Sequence, residues 1–351
     1  MSVEDFSFET LKEFDNHRLV TFLYNPAMGL TGFIAIHRGG LVRPAFGATR
    51  IWRYSSELEA LKDTLKLSRM MSYKSALAGL QYGGAKAVLL SFPNTPKKRK
   101  LLLKSYAHRV NYLSGHFITG ADVGVNDDDL KVMASESQYM VGLKSDPVKF
   151  TSLGVFYSIQ ACLKEVFGSE DIVGRTFAIQ GLGKTGMGIL RLLYKDAKKI
   201  FVSDIDRKQV RRAKADFPKI EVVKPSEIDK LEVDLFSPCA LSNAINFNNI
   251  SRLRCKIIVG SANSQLEDNK VGELLYKLGI LYGPDYVVNA GGLITVVDEY
   301  ENGNSHQSRA SKRVGKIKGT LKAIISQSKK SNKATNLVAD EMAEKIISKF
   351  A

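Results

Sequence analysis

The sequence predicts an α/β protein of two domains, the second doubly wound around a parallel sheet. Three observations carry this. The chain has 351 residues, more than one hydrophobic core ordinarily supports. Its second half alternates short apolar runs with helical stretches, the signature of a parallel sheet flanked by helices. Residues 175–206, RTFAIQGLGKTGMGILRLLYKDAKKIFVSDID, read as strand, glycine turn, helix and strand without interruption.

Taken in order, 19–24 and 31–37 read as strands, with Asn25-Pro26 and Gly29 forming the turn between them. Residues 38–50 are rich in Gly and Pro and read as a loop. Ser56 followed by Glu59 is a capping-box pattern. It opens a helix with Leu58, Leu61 and Leu65 as core positions, ending near Tyr73. Strands are expected at 87–90 and 116–119, and helices at 100–113 and 127–137. Asp146-Pro147 marks the domain boundary, so the first domain spans 1–147 and the second 148–330, with 331–351 expected to pack back on the first. A helix at 154–167 leads into the second domain. Its later strands are expected at 221–223, 234–236, 256–260 and 280–282, and its last helices around 309–328 and 337–350.

At the centre of the second domain, the apolar run 176–180 enters Gly181-Leu182-Gly183-Lys184-Thr185-Gly186. In such a turn the first glycine allows the tight bend, the second lets a pyrophosphate approach the backbone, and the third lets helix and strand pack closely. The helix opened here, with Lys184 and Thr185 in its first turn, offers free N–H groups to phosphates. A second strand ends in Asp204, 18 residues after Gly186, near the ~20 expected of the acid that binds ribose hydroxyls. A carboxylate there favours NAD, since it repels the 2′-phosphate of NADP. Arg207, Lys208, Arg211 and Arg212 lie just beyond and are placed to blunt that repulsion.

Composition narrows the class. Apolar residues make up 44% and charged residues 25%, as in a globular protein. No apolar run approaches the ~18 residues that span a membrane, and the acidic N-terminus is unlike a signal peptide. Cys162, Cys239 and Cys255 are few, odd in number and scattered, which points to reduced cytoplasmic thiols rather than a disulfide framework or a zinc site. The formal net charge is +15. Its basic clusters, 97–100 and 309–330, fall on expected helices. In the second, Val314, Ile317, Leu321 and Ile324 form an apolar stripe that leaves the lysines to solvent. No nucleic-acid module and no aromatic-basic interleaving is present.

The first domain carries two lysines in glycine-rich surroundings, Lys74 and Lys86. Lys86 stands where Gly83-Gly84 enters an apolar strand. Burial and a neighbouring cation such as Lys74 would lower its pKa and let it act as a base; an exposed loop lysine fits the local pattern equally. Asp122 lies between glycines just after an expected strand and reads as a site carboxylate or a turn aspartate.

These stretches together resemble the leucine, valine, phenylalanine and tryptophan dehydrogenase group, relatives of glutamate dehydrogenase. The matching segments are AIH at 35–37, PAFGATR at 44–50, MSYKSALAGL at 71–80, GGAKAV at 83–88, FITGADVG at 117–124, TSLGVF at 151–156, AIQGLGKTG at 178–186, FSPCAL at 236–241, GSANSQL at 260–266 and YGPDYVVNAGGLI at 282–294. The resemblance implies a mixed-sheet α/β substrate domain and a Rossmann-type dinucleotide domain separated by a cleft. It implies that Lys74 holds the substrate carboxylate, Lys86 activates water for attack on an imine, and Asp122 exchanges protons with the substrate amine. Phe46 and Gly47 would lie at the side-chain pocket, and Thr151, Asn263 and Asn289 near the nicotinamide. The reaction implied is reversible oxidative deamination of an L-amino acid with NAD to a 2-oxo acid and ammonia, in a cytoplasmic homo-oligomer that binds neither nucleic acid nor membrane. The chain departs from the family pattern at Phe46, usually Leu or Met, and at Ser264, often Asn. No cation beyond the assigned lysines is evident at the aligned pocket positions, so an apolar substrate of the leucine, valine or isoleucine type is expected. An aromatic substrate, or a catalytically silent NAD-binding role, is the alternative.

Overall fold

A computed structural model describes residues 7–39, 43–90, 92–240 and 242–349. Leu241, which ends the FSPCAL stretch, and Phe350, which ends the last expected helix, lie outside the described residues. The chain divides into two compact units, Met1–Ser145 with Glu299–Asn304 and Ala343–Ala351, and Asp146–Asp298 with Ser305–Met342.

The first unit is built on a five-stranded mixed sheet. Its elements are β1 (Leu19–Asn25), β2 (Leu30–Arg38), β3 (Ala45–Ile51), α1 (Glu57–Leu77), β4 (Gly83–Leu89), α2 (Pro96–Asn111), β5 (Phe117–Ala121) and α3 (Asp127–Ala134). The strand order is β1-β2-β4-β3-β5. β1 and β4 run antiparallel to β2, while β3 runs parallel to both β4 and β5. On one face Leu102, Leu103, Tyr106 and Val110 of α2 pack with Ile34, Ile36 and Phe117. On the other, Leu61 and Leu65 of α1 meet Phe33 and Val88. The Ser56 hydroxyl caps α1 by accepting the Glu59 N–H, as the capping pattern implied.

Two readings of this unit are corrected. Residues 45–50, expected as part of a loop over 38–50, fall in β3, an interior strand between β4 and β5. Its lack of a β-branched run has a packing reason: a Cβ on Gly47 would lie 2.3 Å from Ala85 O and 2.9 Å from the Phe117 ring, so only glycine lets the strands close up. Lys86 accordingly sits inside β4 rather than at a loop exit, because the strand begins at Gly83.

Segment 299–304 joins this unit through Glu299, whose carboxylate accepts the N–H groups of Gly142 and Leu143 at 3.1 and 3.2 Å and the Ser145 hydroxyl at 2.5 Å. The tail joins it through Glu344, which accepts the Tyr73 hydroxyl at 2.7 Å.

The second unit runs through α4 (Pro147–Phe167), β6 (Thr176–Gln180), α5 (Lys184–Leu193), β7 (Lys199–Ser203), α6 (Arg207–Asp216), β8 (Glu221–Val222), β9 (Leu235–Pro238), β10 (Ile257–Ile258), α7 (Asn269–Lys277), β11 (Leu281–Tyr282), α8 (Asp285–Val288), α10 (Gln307–Ser331) and the greater part of α9 (Gly291–Asn302) and α11 (Thr335–Ile347), whose ends from Glu299 and Ala343 belong to the first unit. Its sheet has the order β11-β10-β9-β6-β7-β8 and every pairing is parallel. The order reverses at β6 and β9, the switch point where such sheets bind ligands. Val314, Ile317, Leu321 and Ile324 of α10 are buried, as their spacing implied. Cys162, Cys239 and Cys255 are buried free thiols. No helix among the described residues is long and apolar enough to cross a membrane.

Candidate active site

Strand alternation assembles the charged network of the first unit. Register pairs Phe46 with Gly84 and Arg50 with Val88, so Phe46 and Arg50 share the face from which Lys86 projects. α1 covers this face so closely that a Cβ on Gly84 would lie 1.9 Å from Ser72 N. Lys86 is 5% exposed. Its Nζ donates to Asp122 Oδ2 at 2.6 Å, and Arg50 Nε donates to the same oxygen at 3.0 Å. Arg50 Nη1 reaches Asp63 Oδ2 on α1 at 3.1 Å, and the Tyr54 hydroxyl donates to that oxygen at 2.5 Å. The Asp122 N–H donates to Thr49 O at 3.1 Å, which fixes the turn after β5.

Burial and these neighbours set the charges. Burial lowers the Lys86 pKa, Asp122 draws it back up, and Arg50 lowers it again, leaving it below the usual lysine range. Burial would raise the Asp122 carboxyl, but Lys86 and Arg50 outweigh it and hold it well below the usual range. Arg50 is thus a cation that acts on Lys86. Lys74 lies half-buried in the last turn of α1, where a cation suits the helix dipole.

Phe46 is fully buried, edge-on to Tyr82 at 4.8 Å and to Tyr300 at 5.2 Å between ring centroids. Burial and Glu301 push the Tyr82 hydroxyl up to about 12. Gly47 faces the opposite side of the sheet from Lys86, towards Phe117.

In the second unit the glycine turn has the required geometry. Gly181 has φ +98 and lies so near Ala240 that a Cβ would come within 2.8 Å. A Cβ on Gly186 would meet Gly181 O at 2.0 Å, whereas Gly183 faces open space. Gly183 is the N-cap of α5 and gives the helix no side-chain cap, leaving its N–H groups for an anion. Asp204 follows β7 and accepts the Leu182 N–H at 2.6 Å and the Asp206 N–H at 2.8 Å, tying the acid to the turn. Thr185 shares a 2.8 Å hydrogen bond with Ser261, and Lys184 opens the helix beside it.

The third group lies around α8 and α9. Asn289 Nδ2 donates to Asn263 Oδ1 at 2.9 Å and to Ser261 O at 3.2 Å. Its buried Oδ1 has no hydrogen-bond partner among the described residues, so it is available to a ligand amide. Cβ atoms on Gly291 and Gly292 would strike Phe150 O at 1.9 Å and Thr151 Oγ1 at 2.7 Å. The glycine pair thus lets Thr151 of α4 sit against the start of α9. Ser264 adopts φ +50, a conformation asparagine tolerates better than serine. An uncapped helix start with open space at Gly183, an acid tied to the turn and an orphaned buried amide oxygen fit a nicotinamide dinucleotide.

Arg50, Asp63 and Tyr54 are the site residues that sequence reasoning missed. The signal for Arg50 lies in the alternation of 46–50, visible only once the segment is read as a strand. Asp63 and Tyr54 give none, because only contacts made by the fold, Asp63 with Arg50 and Tyr54 with Asp63, bring them to the network.

A doubly wound sheet with an uncapped glycine turn, in a chain that also buries a lysine against a carboxylate, is the make-up of a nucleotide-dependent oxidoreductase. The family model described as "Glu/Leu/Phe/Val dehydrogenase, dimerisation domain" matches residues 20–139, and that described as "Glutamate/Leucine/Phenylalanine/Valine dehydrogenase" matches residues 196–346. The chain is similar to the leucine dehydrogenase of Bacillus cereus, at 37% identity over 97% of this chain and 93% of that one. It is also similar to the L-tryptophan dehydrogenase of Nostoc punctiforme, at 42% identity over 97% and 96%. The crystal structure of the Nostoc enzyme matches with a TM-score of 0.82 over 98% of this chain and 99% of that one, at 41% identity. The chain belongs to the Glu/Leu/Phe/Val dehydrogenase family and is an amino-acid dehydrogenase.

Proposed function

We propose that the protein catalyses the NAD-dependent oxidative deamination of an apolar L-amino acid of the leucine, valine or isoleucine type, reversibly. The observation that carries this reading is the buried Lys86–Asp122 pair. A lysine whose charge is disfavoured by burial can take a proton near neutral pH. In this role Lys86 removes a proton from water as its oxygen attacks the imine carbon. Asp122, kept ionised by Lys86 and Arg50, accepts hydrogen bonds from the substrate amine and exchanges protons with it. Lys74 pairs with the α-carboxylate. Phe46 and Gly47 shape the side-chain end, Phe46 by filling space and Gly47 by letting β3 close on β4 behind it.

The glycine turn with Gly181, Gly183, Lys184, Thr185 and Gly186 would hold the pyrophosphate of NAD, Asp204 the adenosine ribose, and Thr151, Asn263 and Asn289 the nicotinamide amide. When bound, NAD takes up the hydride that leaves Cα. A second carboxylate, as in glutamate, would need a cation at the side-chain end, and burying it unpaired costs several kcal/mol.

The Phe46–Tyr82–Tyr300 ring cluster, with the similarity to a tryptophan dehydrogenase, favours a second reading in which an aromatic side chain stacks there. A homo-oligomer is supported by the dimerisation description of the matched domain and by the edge strand β1, uncharged along its length, with Phe22 and Tyr24 exposed. Reduced cytoplasmic thiols remain the expectation for the three cysteines.

The ammonia requirement tests the reaction. With a branched 2-oxo acid and NADH, oxidation of NADH is expected only when ammonium is added. NADH oxidation without ammonium would make the protein a hydroxy-acid dehydrogenase instead.

A further inference from the structure

Asp122 is held from two sides, and one of them continues outward. Beyond Lys86 and Asp122 the chain of contacts runs through Arg50 to Asp63 and Tyr54, each link within 3.1 Å. It leads from a buried amine to a cavity of 380 Å³ lined by Trp52, Tyr54, Asp63 and Lys66. Arg50 is the hinge of this ladder. Its planar fork binds one carboxylate through Nε and the other through Nη1, a geometry that lysine cannot reproduce.

We propose that Asp63 and Tyr54 are positioning residues that act through Arg50, aiming its guanidinium at Asp122 and setting the charge of the network around Lys86. This rests on the deamination reading above. With Lys86 protonated, the network holds two cations and two carboxylates and is neutral. When Lys86 gives up its proton, one cation faces two carboxylates. Asp63 therefore holds the proton on Lys86, and its removal releases that proton more readily. Among the influences on Lys86, Asp63 acts in this upward direction, against burial and Arg50.

Among the charged groups facing Lys86 are Asp122 after β5, Arg50 on β3 and Asp63 on α1. Glu13, Glu59, Lys62 and Lys66 ring the outer cavity, and Lys74 lies further along α1. A salt bridge with a merely structural role would support folding without moving the pH at which Lys86 works.

The test is the pH dependence of kcat for amino-acid oxidation in the unaltered protein and in Asp63→Asn, Asp63→Glu and Tyr54→Phe, with NADH binding measured alongside. In Asp63→Asn the acid limb is expected to move roughly one unit towards lower pH, as removal of a charge several ångströms away implies, while NADH binding stays unchanged. Asp63→Glu keeps the charge, so its limb should stay in place. Tyr54→Phe removes only a hydrogen bond; kcat should fall about threefold, again with the limb in place. An unmoved limb in Asp63→Asn overturns the proposal, as does a shifted one in Asp63→Glu. If Asp63→Asn does not fold, an unchanged kcat in Tyr54→Phe overturns the aiming role. If the unaltered protein oxidises no amino acid, the deamination reading fails rather than the ladder.

Discussion

Lys86 Nζ lies 2.6 Å from Asp122 Oδ2 on a sheet face covered by α1, with Arg50 on the same oxygen. The pair keeps a carboxylate ionised and holds a lysine below its usual pKa range in one buried place. Lys86→Ala should cut kcat by about a thousandfold, as loss of a positioned base does. NADH affinity should hold, since the glycine turn belongs to the other unit. Turnover by stopped assay and NADH titration by fluorescence check both, and near-normal kcat would remove Lys86 from the chemistry.

Cofactor choice should follow Asp204. Its carboxylate accepts the Leu182 and Asp206 N–H groups, so its charge is fixed beside the turn. NAD should be preferred over NADP, and Asp204→Ser should narrow the ratio of kcat/KM by about tenfold, equal to ~1.4 kcal/mol of repulsion removed. Absolute NAD use should fall too, because the variant loosens the turn. A native preference for NADP would show that Arg207 or Arg211 dominates.

Acid should weaken the first unit through two histidines. His17 Nδ1 accepts the Asp15 N–H at 3.1 Å, and Nε2 lies 3.0 Å from Leu65 O, which requires a neutral ring with the proton on Nε2. Burial lowers its pKa from 6.5 to about 4, and burial with Arg38 lowers that of His37 to about 3. The unfolded chain takes up these protons first, so the stability is complete above pH 6.5 and is lost as pH falls, down to about 4 for His17 and about 3 for His37. Each group contributes up to ~1.4 kcal/mol per pH unit in that window. Thermal unfolding should drop by several degrees between pH 7.5 and 5, and His17→Gln should flatten the dependence. A Tm independent of pH over this range would contradict it.

Phe46 is pinned edge-on by Tyr82 and Tyr300, so the space it fills is not surrendered by a simple rotation. Phe46→Leu should raise kcat/KM for tryptophan relative to leucine by about tenfold, the discrimination a small volume change provides. An unchanged ratio would place the side-chain end elsewhere.

The nucleotide half was the more legible, because its function is written into local sequence. A strand, three glycines and a terminal acid occupy 29 residues, from Thr176 to Asp204, and the structure keeps that order. The Ser56 cap and the α10 stripe were legible for the same reason: their partners lie within a turn or two of helix. β3 was misread because its residues answer to neighbours. Gly47 is small for Ala85 O and Phe117, and a segment of small residues looks like a loop. Arg50, Asp63 and Tyr54 were missed because their meeting depends on which face of β3 looks towards α1. Glu299 contacts residues 154 to 157 positions earlier, a join that no local pattern announces.

The most direct test of the central claim is a comparison of NADH formation from leucine, valine, isoleucine, phenylalanine, tryptophan and glutamate with purified protein and NAD. The highest kcat/KM is expected for a branched aliphatic amino acid, with glutamate at least a hundredfold lower, as an unpaired buried carboxylate costing ~3 kcal/mol implies. Glutamate as the best substrate, or no NADH from any of the six, would contradict it.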